Sequence, residues 1–100
     1  AILMPRINEM SQNNYISPII TQLQKYDKKH STDFLDTLKV YIRNLCNTSD
    51  SAAELHLHRN SFLYRINKIE EITGVTLREY HTFMHLAINF YMEEINNKSS

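Results

Sequence analysis

Apolar positions along this chain recur mostly every third or fourth residue, and capping or turn-forming residues separate the stretches that carry them. That spacing marks amphipathic helices. Residues 1–16, with Asn8, Ser11, Gln12, Asn13 and Asn14, hold no sustained period and read as a linker or the frayed end of an upstream region. Ser17-Pro18 reads as a helix start, because Ser accepts from orphan N–H groups and Pro at the first helical position gives up nothing. Ile19, Ile20, Leu23 and Tyr26 line one side of this helix, which should end near Lys29 in a basic turn suited to the negative end of its dipole. Ser31 or Thr32 is the expected cap of the second helix, with Asp33 and Asp36 in its first turn. Phe34, Leu35, Leu38, Tyr41, Ile42 and Leu45 form its apolar face. Val40 falls on the opposite, exposed side, and Asn47 is a candidate left-handed stop.

Ser49 or Asp50 should start a short helix to about His56, with Ala52, Ala53 and Leu55 facing inward. Two small residues in succession let another helix approach closely, as a helix-turn-helix pair requires. Leu57 and His58 fit the turn, with Leu57 as its buried plug. The next helix, 59–73, sorts by angle at 100° per residue. Phe62, Ile66, Ile69 and Thr73 point one way; Asn60, Tyr64, Asn67 and Lys68 point the other. Arg65 and Ile72 flank the apolar stripe on one side and Leu63 on the other. Gly74, the chain's one glycine, sits where a left-handed cap is expected, followed by Val75 as the cap's apolar contact.

Thr76 and Glu79 make a capping-box pattern for a last helix running from Leu77 to about Ile95. Leu77, Tyr80, Met84, Ala87, Ile88, Tyr91 and Ile95 form its main stripe, and Phe83, Leu86 and Phe90 a second one beside it. Together they exceed the roughly 100° that one packed face needs. Either both stripes are buried within the bundle, or Phe83, Leu86 and Phe90 remain partly free for another protomer or an upstream domain. Residues 97–100 read as a polar tail. The expected fold is an all-α, compact five-helix bundle of residues 17–96 with a helix-turn-helix at about 49–73.

Composition narrows the function classes. One hundred residues suit one small domain, and with one Gly and two Pro, both before residue 19, most of the chain is free to be helical. No run of about 18 apolar residues is present, so no membrane span is expected. The lone Cys46 fits a reducing, cytoplasmic setting. Formal net charge is zero, yet no acid lies between Glu54 and Glu70. Screening at physiological salt acts over about 8–10 Å, so this locally basic stretch matters more than the sum.

The chemistry that suits this stretch is recognition of double-stranded DNA. Arg59, Asn60 and Ser61 open the 59–73 helix and Tyr64 follows one turn on. Arg pairs bidentately with guanine and Asn with adenine, while Ser serves base or phosphate. Lys68 and Arg65 would sit over phosphates, with Arg65 alternatively structural because it lies nearer the core. A solvated polar face of a core helix is the bland alternative. No catalytic set competes. His81 and His85 share the spacing of a zinc motif, but Thr82 replaces its general-base Glu and no third ligand is evident. His56 and His58 lack partners of the right kind, Cys46 has no basic context, and Asp33 and Asp36 are explained by the helix dipole. One Gly rules out a glycine-rich phosphate loop. Neither an enzyme nor a cofactor is expected.

From Phe34 to about Glu93 the chain resembles the C-terminal helix-turn-helix domain of PucR-type regulators, the family of purine-catabolism and CdaR sugar-diacid regulators. The residues that carry the resemblance are Leu35, Leu38, Tyr41, Ile42, Asn47, Ala52, Ala53, Leu55, then His58-Arg59-Asn60-Ser61-Phe62, Tyr64-Arg65-Ile66, Ile69-Glu70-Glu71 and Gly74. The His-Arg-Asn-x-x-x-Tyr-Arg core is far more specific than a generic helix-turn-helix. Ser61 stands where the family has Thr, removing a methyl that would meet thymine, and Phe62 stands for Leu. The resemblance implies a bacterial transcription factor, usually an activator, whose upstream sensory region is absent here. It implies His58, Arg59, Asn60, Ser61, Tyr64 and Arg65 as the DNA-contacting or turn-defining set, to which the charge pattern adds Lys68. Promoter DNA is the expected partner, bound as a homodimer on paired half-sites. A helical interaction or dimerisation module without DNA contact is the rival.

Overall fold

The computed structural model describes residues 17–99, so the linker expected at 1–16 lies outside the described residues. Five helices follow in order: α1 Pro18–His30, α2 Phe34–Arg43, α3 Thr48–Glu54, α4 Arg59–Thr73 and α5 Tyr80–Ser99. No strand occurs among the described residues. The all-α architecture is the expected one. α2 is its centre, packing on α1, α3, α4 and α5.

α1 starts as its sequence dictates: Ser17 Oγ accepts from the Ile19 N–H at 3.2 Å, and Ser31 closes the helix in the left-handed region at φ 54°. The cap of α2 differs from expectation. Neither Ser31 nor Thr32 caps it; Asp27, one helix upstream, does. Its carboxylate accepts from the Phe34 and Leu35 N–H groups at 2.9 Å each and from Thr32 Oγ1 at 2.5 Å. Asp33 occupies the N-cap position without a capping bond, because its carboxylate is engaged elsewhere. Val40, expected to be exposed, is buried, since α2 is covered on nearly every side.

The α2–α3 connection also departs from the reading above. The left-handed residues are Leu45 and Cys46, at φ 55° and 61°, and not Asn47. Asn47 instead caps α3, its Oδ1 accepting from the Asp50 N–H at 2.8 Å. Leu45, expected on the apolar face, is thrown outward and is 76 % exposed, while Cys46 takes the buried place. In α3, Ser51 and Ala52 are buried and Ala53 is exposed; Ser51 Oγ donates to Asn47 O at 2.6 Å, so burying its hydroxyl leaves nothing unsatisfied.

α4 has the expected limits and inner face. Phe62, Ile66 and Ile69 are buried, and Gly74 ends the helix at φ 74°, its N–H donating to Glu70 O at 2.8 Å. A Cβ on Gly74 would meet nothing within 4 Å, so backbone conformation and not space requires glycine there. The Glu70 carboxylate accepts from the Leu77 N–H at 2.8 Å and seats Leu77 in the core ahead of α5.

α5 starts at Tyr80, three residues later than expected, and continues through the stretch read as a polar tail to Ser99. Neither alternative given above for its two stripes holds. Leu86 and Phe90 of the second stripe are buried, with Phe83 half-buried. Tyr80, Met84 and Tyr91 of the main stripe are exposed. Polar residues share the buried side: Asn89 Oδ1 accepts from the Ser17 N–H at 2.7 Å, and His85 Nε2 lies 2.7 Å from Ser17 Oγ. These bonds tie the start of α1 to α5.

Candidate nucleic-acid interface

α3 packs against α4 through a turn in which His56 is left-handed at φ 56° and Leu57, half-buried, rests on the core. The turn delivers His58 as the N-cap of α4. Its Nδ1 accepts from the Asn60 N–H at 3.1 Å, which leaves the proton of the neutral ring on Nε2. A histidine thus does the work usually given to Ser, Thr, Asp or Asn.

The first turn of α4 presents Arg59, Asn60 and Ser61 to solvent, and Tyr64, 64 % exposed, stands one turn further on. Among the described residues, none makes a hydrogen bond or ion pair with the side chains of Arg59, Asn60 or Ser61. Their donors and acceptors, together with the free N–H groups of a helix N-terminus, all face outward. Arg65 is different. Its Nη1 lies 2.6 Å from Asp33 Oδ1 and 3.2 Å from Thr37 Oγ1, so it clamps α4 to the start of α2. Lys68 lies 3.7 Å from Glu71 on its own helix, at the side of the exposed face.

Asn60, Ser61, Tyr64 and Arg65 form one wall of an open cleft of about 670 Å³; the other wall is Ser31, Thr32, Asp33 and Phe34. The end of α1 therefore lies beside the start of α4, and the exposed Lys28, Lys29 and His30 lead directly into that wall. Both basic groups are visible in the sequence, but nothing in it joins them. The acid in the cleft, Asp33, is paired with Arg65, so the region keeps its positive sign.

The other candidate chemistries are dispersed by the fold. His81 is exposed whereas His85 is buried against Ser17, and burial lowers the His85 pKa. Burial raises the Cys46 thiol pKa, an effect that Arg78 partly opposes. Among the described residues no three His, Cys, Asp or Glu side chains gather closely enough for a metal ion. No described helix is long and apolar enough to cross a membrane.

The PucR C-terminal helix-turn-helix domain family matches residues 34–92, from the first residue of α2 well into α5. The chain belongs to this family. It is a DNA-binding helix-turn-helix domain of the PucR type, the kind found in transcription regulators. It is 32 % identical over 78 residues to the proline-responsive transcriptional activator PutR of Bacillus subtilis, covering 78 % of this chain and 19 % of that protein. It is 36 % identical over 75 residues to the purine catabolism regulatory protein of the same organism, covering 73 % of this chain and 14 % of that one. An uncharacterized Bacillus subtilis protein, YxkF, is 46 % identical over 64 residues, 64 % of this chain and 20 % of its own length. The chain thus spans about a fifth or less of these relatives. No solved structure matches it at a significant level. In this PucR-type domain α3 and α4 are the helix-turn-helix, and His58-Arg59-Asn60 supplies the cap and first helical residues of its second helix.

Proposed function

We propose that α4 enters the major groove of promoter DNA with its N-terminal turn first, as the output domain of a longer bacterial transcriptional regulator. Arg59 and Asn60 read base edges, and Ser61 and Tyr64 meet base or backbone beside them. His58 Nε2, Lys68 and the basic end of α1 contact phosphate, which fixes position without reading sequence. Arg65 positions α4 through Asp33 and Thr37 and makes no base contact. Two copies occupy paired half-sites about one helical turn apart. The resemblance to PutR and to the purine catabolism regulatory protein supports an activator of a catabolic operon, acting in the cytoplasm under an upstream sensory region.

The observation that carries this reading is the outward, unpaired set Arg59, Asn60 and Ser61 at the start of the second helix of a PucR-type helix-turn-helix. The test is binding to a duplex recovered by selection from a random pool, beside a random duplex of equal length. Asn60→Ala or Arg59→Ala should lower affinity for the selected duplex by about 1–3 kcal/mol and relax preference at one base position, leaving random-duplex binding nearly unchanged. Equal losses on both duplexes would remove base reading. No salt-sensitive binding to either would favour an interaction module instead.

A further inference from the structure

The outward face of α5 is apolar where a surface helix is normally polar. Tyr80 is 71 % exposed, Tyr91 64 % and Met84 37 %, with Ala87 and Ile88 half-buried between them and Ile95 continuing the line. At 100° per residue these side chains fall within a sector of roughly 100°. The sector holds no Asp, Glu, Lys or Arg from Tyr80 to Ile95. Among the described helices α5 packs on α2 and not on α4, so this face lies apart from the DNA-facing helix. At its edge, Leu45 projects outward from a left-handed backbone and shares with Ile42, Phe83 and Tyr91 a groove of about 520 Å³ that the charged Lys39, Arg43, Glu93 and Glu94 also line. Exposed leucine in that conformation is unusual, and it widens the apolar surface.

We propose that this face is where a second copy of the same chain docks, α5 against α5 and antiparallel. The reason lies in the spacing. Positions 80, 84, 87, 88, 91 and 95 read the same in both directions, stepping by four, three, one, three and four. A two-fold interface must be self-complementary. Reversal about the midpoint of Ala87 and Ile88 sets Tyr80 opposite Ile95, Met84 opposite Tyr91 and Ala87 opposite Ile88 of the second copy. Each ring then meets an aliphatic or thioether side chain, and the charged Glu94 stays at the rim, outside the paired sector. The exposures amount to roughly 500 Å² per copy, hence about 1,000 Å² in the pair, at the boundary between transient and stable interfaces. Such a pair is weak in solution and is completed when two copies sit on adjacent half-sites. This deepens the DNA-binding reading and rests on it for its setting, but the contact is testable without DNA.

The test uses the 100-residue chain in a Cys46→Ala background, with folding checked by circular dichroism. Under mild oxidation Ile88→Cys should cross-link to itself. Met84→Cys mixed with Tyr91→Cys should give at least about fivefold more disulfide dimer than either variant alone. Dimer from Met84→Cys alone and Tyr91→Cys alone, as abundant as from the mixture, would overturn the antiparallel register. No cross-link from any of them at about 1 mM chain would overturn the proposal altogether. Tyr91→Glu, at an exposed position, should abolish the concentration-dependent sedimentation of the parent chain and remove cooperativity on a duplex with two selected half-sites while leaving single half-site affinity unchanged. Unaltered sedimentation and cooperativity would count against the face. Cross-linking that persists in Asn60→Ala alongside unchanged DNA affinity would sink the DNA reading and leave the pairing intact.

Discussion

Asp27 should be the acid on which the start of α2 depends, although its own helix gives no hint of it. Replacement by Ala removes acceptors from two of the four N–H groups that a helix N-terminus leaves orphaned, Phe34 and Leu35, and from the Thr32 hydroxyl. A neutral cap contributes about 1 kcal/mol and an ionised acceptor roughly twice that. The negative charge at the positive end of α2 adds about 0.3–1 kcal/mol. The bonds are only part-buried, so water recovers some of the loss, and the net cost of Asp27→Ala is about 2–3 kcal/mol. For a domain of this size that lowers Tm by roughly 10–20 °C. Asp36 is also in the first turn of α2, but it is exposed and makes no capping bond, so Asp36→Ala should cost less than about 1 kcal/mol. Thermal and urea unfolding followed by circular dichroism give both values in one series. Losses for the two variants that agree within about 0.5 kcal/mol would mean that the dipole alone stabilises α2, and the capping argument would fail.

Three further outcomes are expected. Burial lowers the His85 pKa in the folded state, so the unfolded chain takes up a proton first; stability is full above the ordinary value of about 6.5 and falls as pH drops through it towards the folded value. His85→Gln should flatten that part of the stability–pH curve, and an unchanged slope would acquit His85. Cys46, buried and with its thiol pKa raised chiefly by desolvation, should react with iodoacetamide only as fast as the domain opens, so alkylation at the rate of an unfolded peptide would contradict the buried placement. Lys68→Ala should weaken binding to selected and random duplexes alike and reduce the salt slope by about 1, whereas a full slope would remove Lys68 from the phosphate set.

The features legible in the sequence are those whose cause is local. Ser17-Pro18 starts α1 with its own hydroxyl, Gly74 stops α4 with its own backbone, and the Phe62–Ile66–Ile69 spacing selects the inner face of α4. The helix limits at 59 and 73 follow from these. Where the partner comes from another element, spacing misled. The sequence near Phe34 offers Ser31 and Thr32 as caps of α2, but Asp27 reaches it from the preceding helix. Arg65 is legible as a residue near the core, and its partners, Asp33 at the cap of α2 and Thr37 in its first turns, are not. The same holds for Lys28 and Lys29, which come near the cleft only because α1 ends beside the start of α4.

α5 makes the limit sharpest, because its two apolar stripes are legible in the sequence and the choice of the stripe that stays outside is not. Two apolar stripes run along it, and hydrophobicity alone favours burying the one with more members. The decision falls instead to three polar residues. Thr82, His85 and Asn89 lie beside Leu86, so burying Leu86 and Phe90 also buries them, at a cost unless each finds a partner. Ser17 meets that need for His85 and Asn89 in one place: its N–H donates to Asn89 while its hydroxyl meets His85. No pattern within residues 80–99 encodes a serine at the head of α1. Once those polar groups are satisfied inside, the stripe of Tyr80, Met84 and Tyr91 has no room in the core, and α2 already covers the opposite side. A chain that leaves its longer stripe outside carries an apolar surface that packing among the described helices does not use. The Asn89→Leu variant separates the two causes: if polar satisfaction orients α5, losing the Ser17 N–H partner should destabilise the domain by about 1–3 kcal/mol despite the added apolar volume. A stabilised Asn89→Leu would mean that hydrophobic burial, and not the Ser17 bonds, turned the helix.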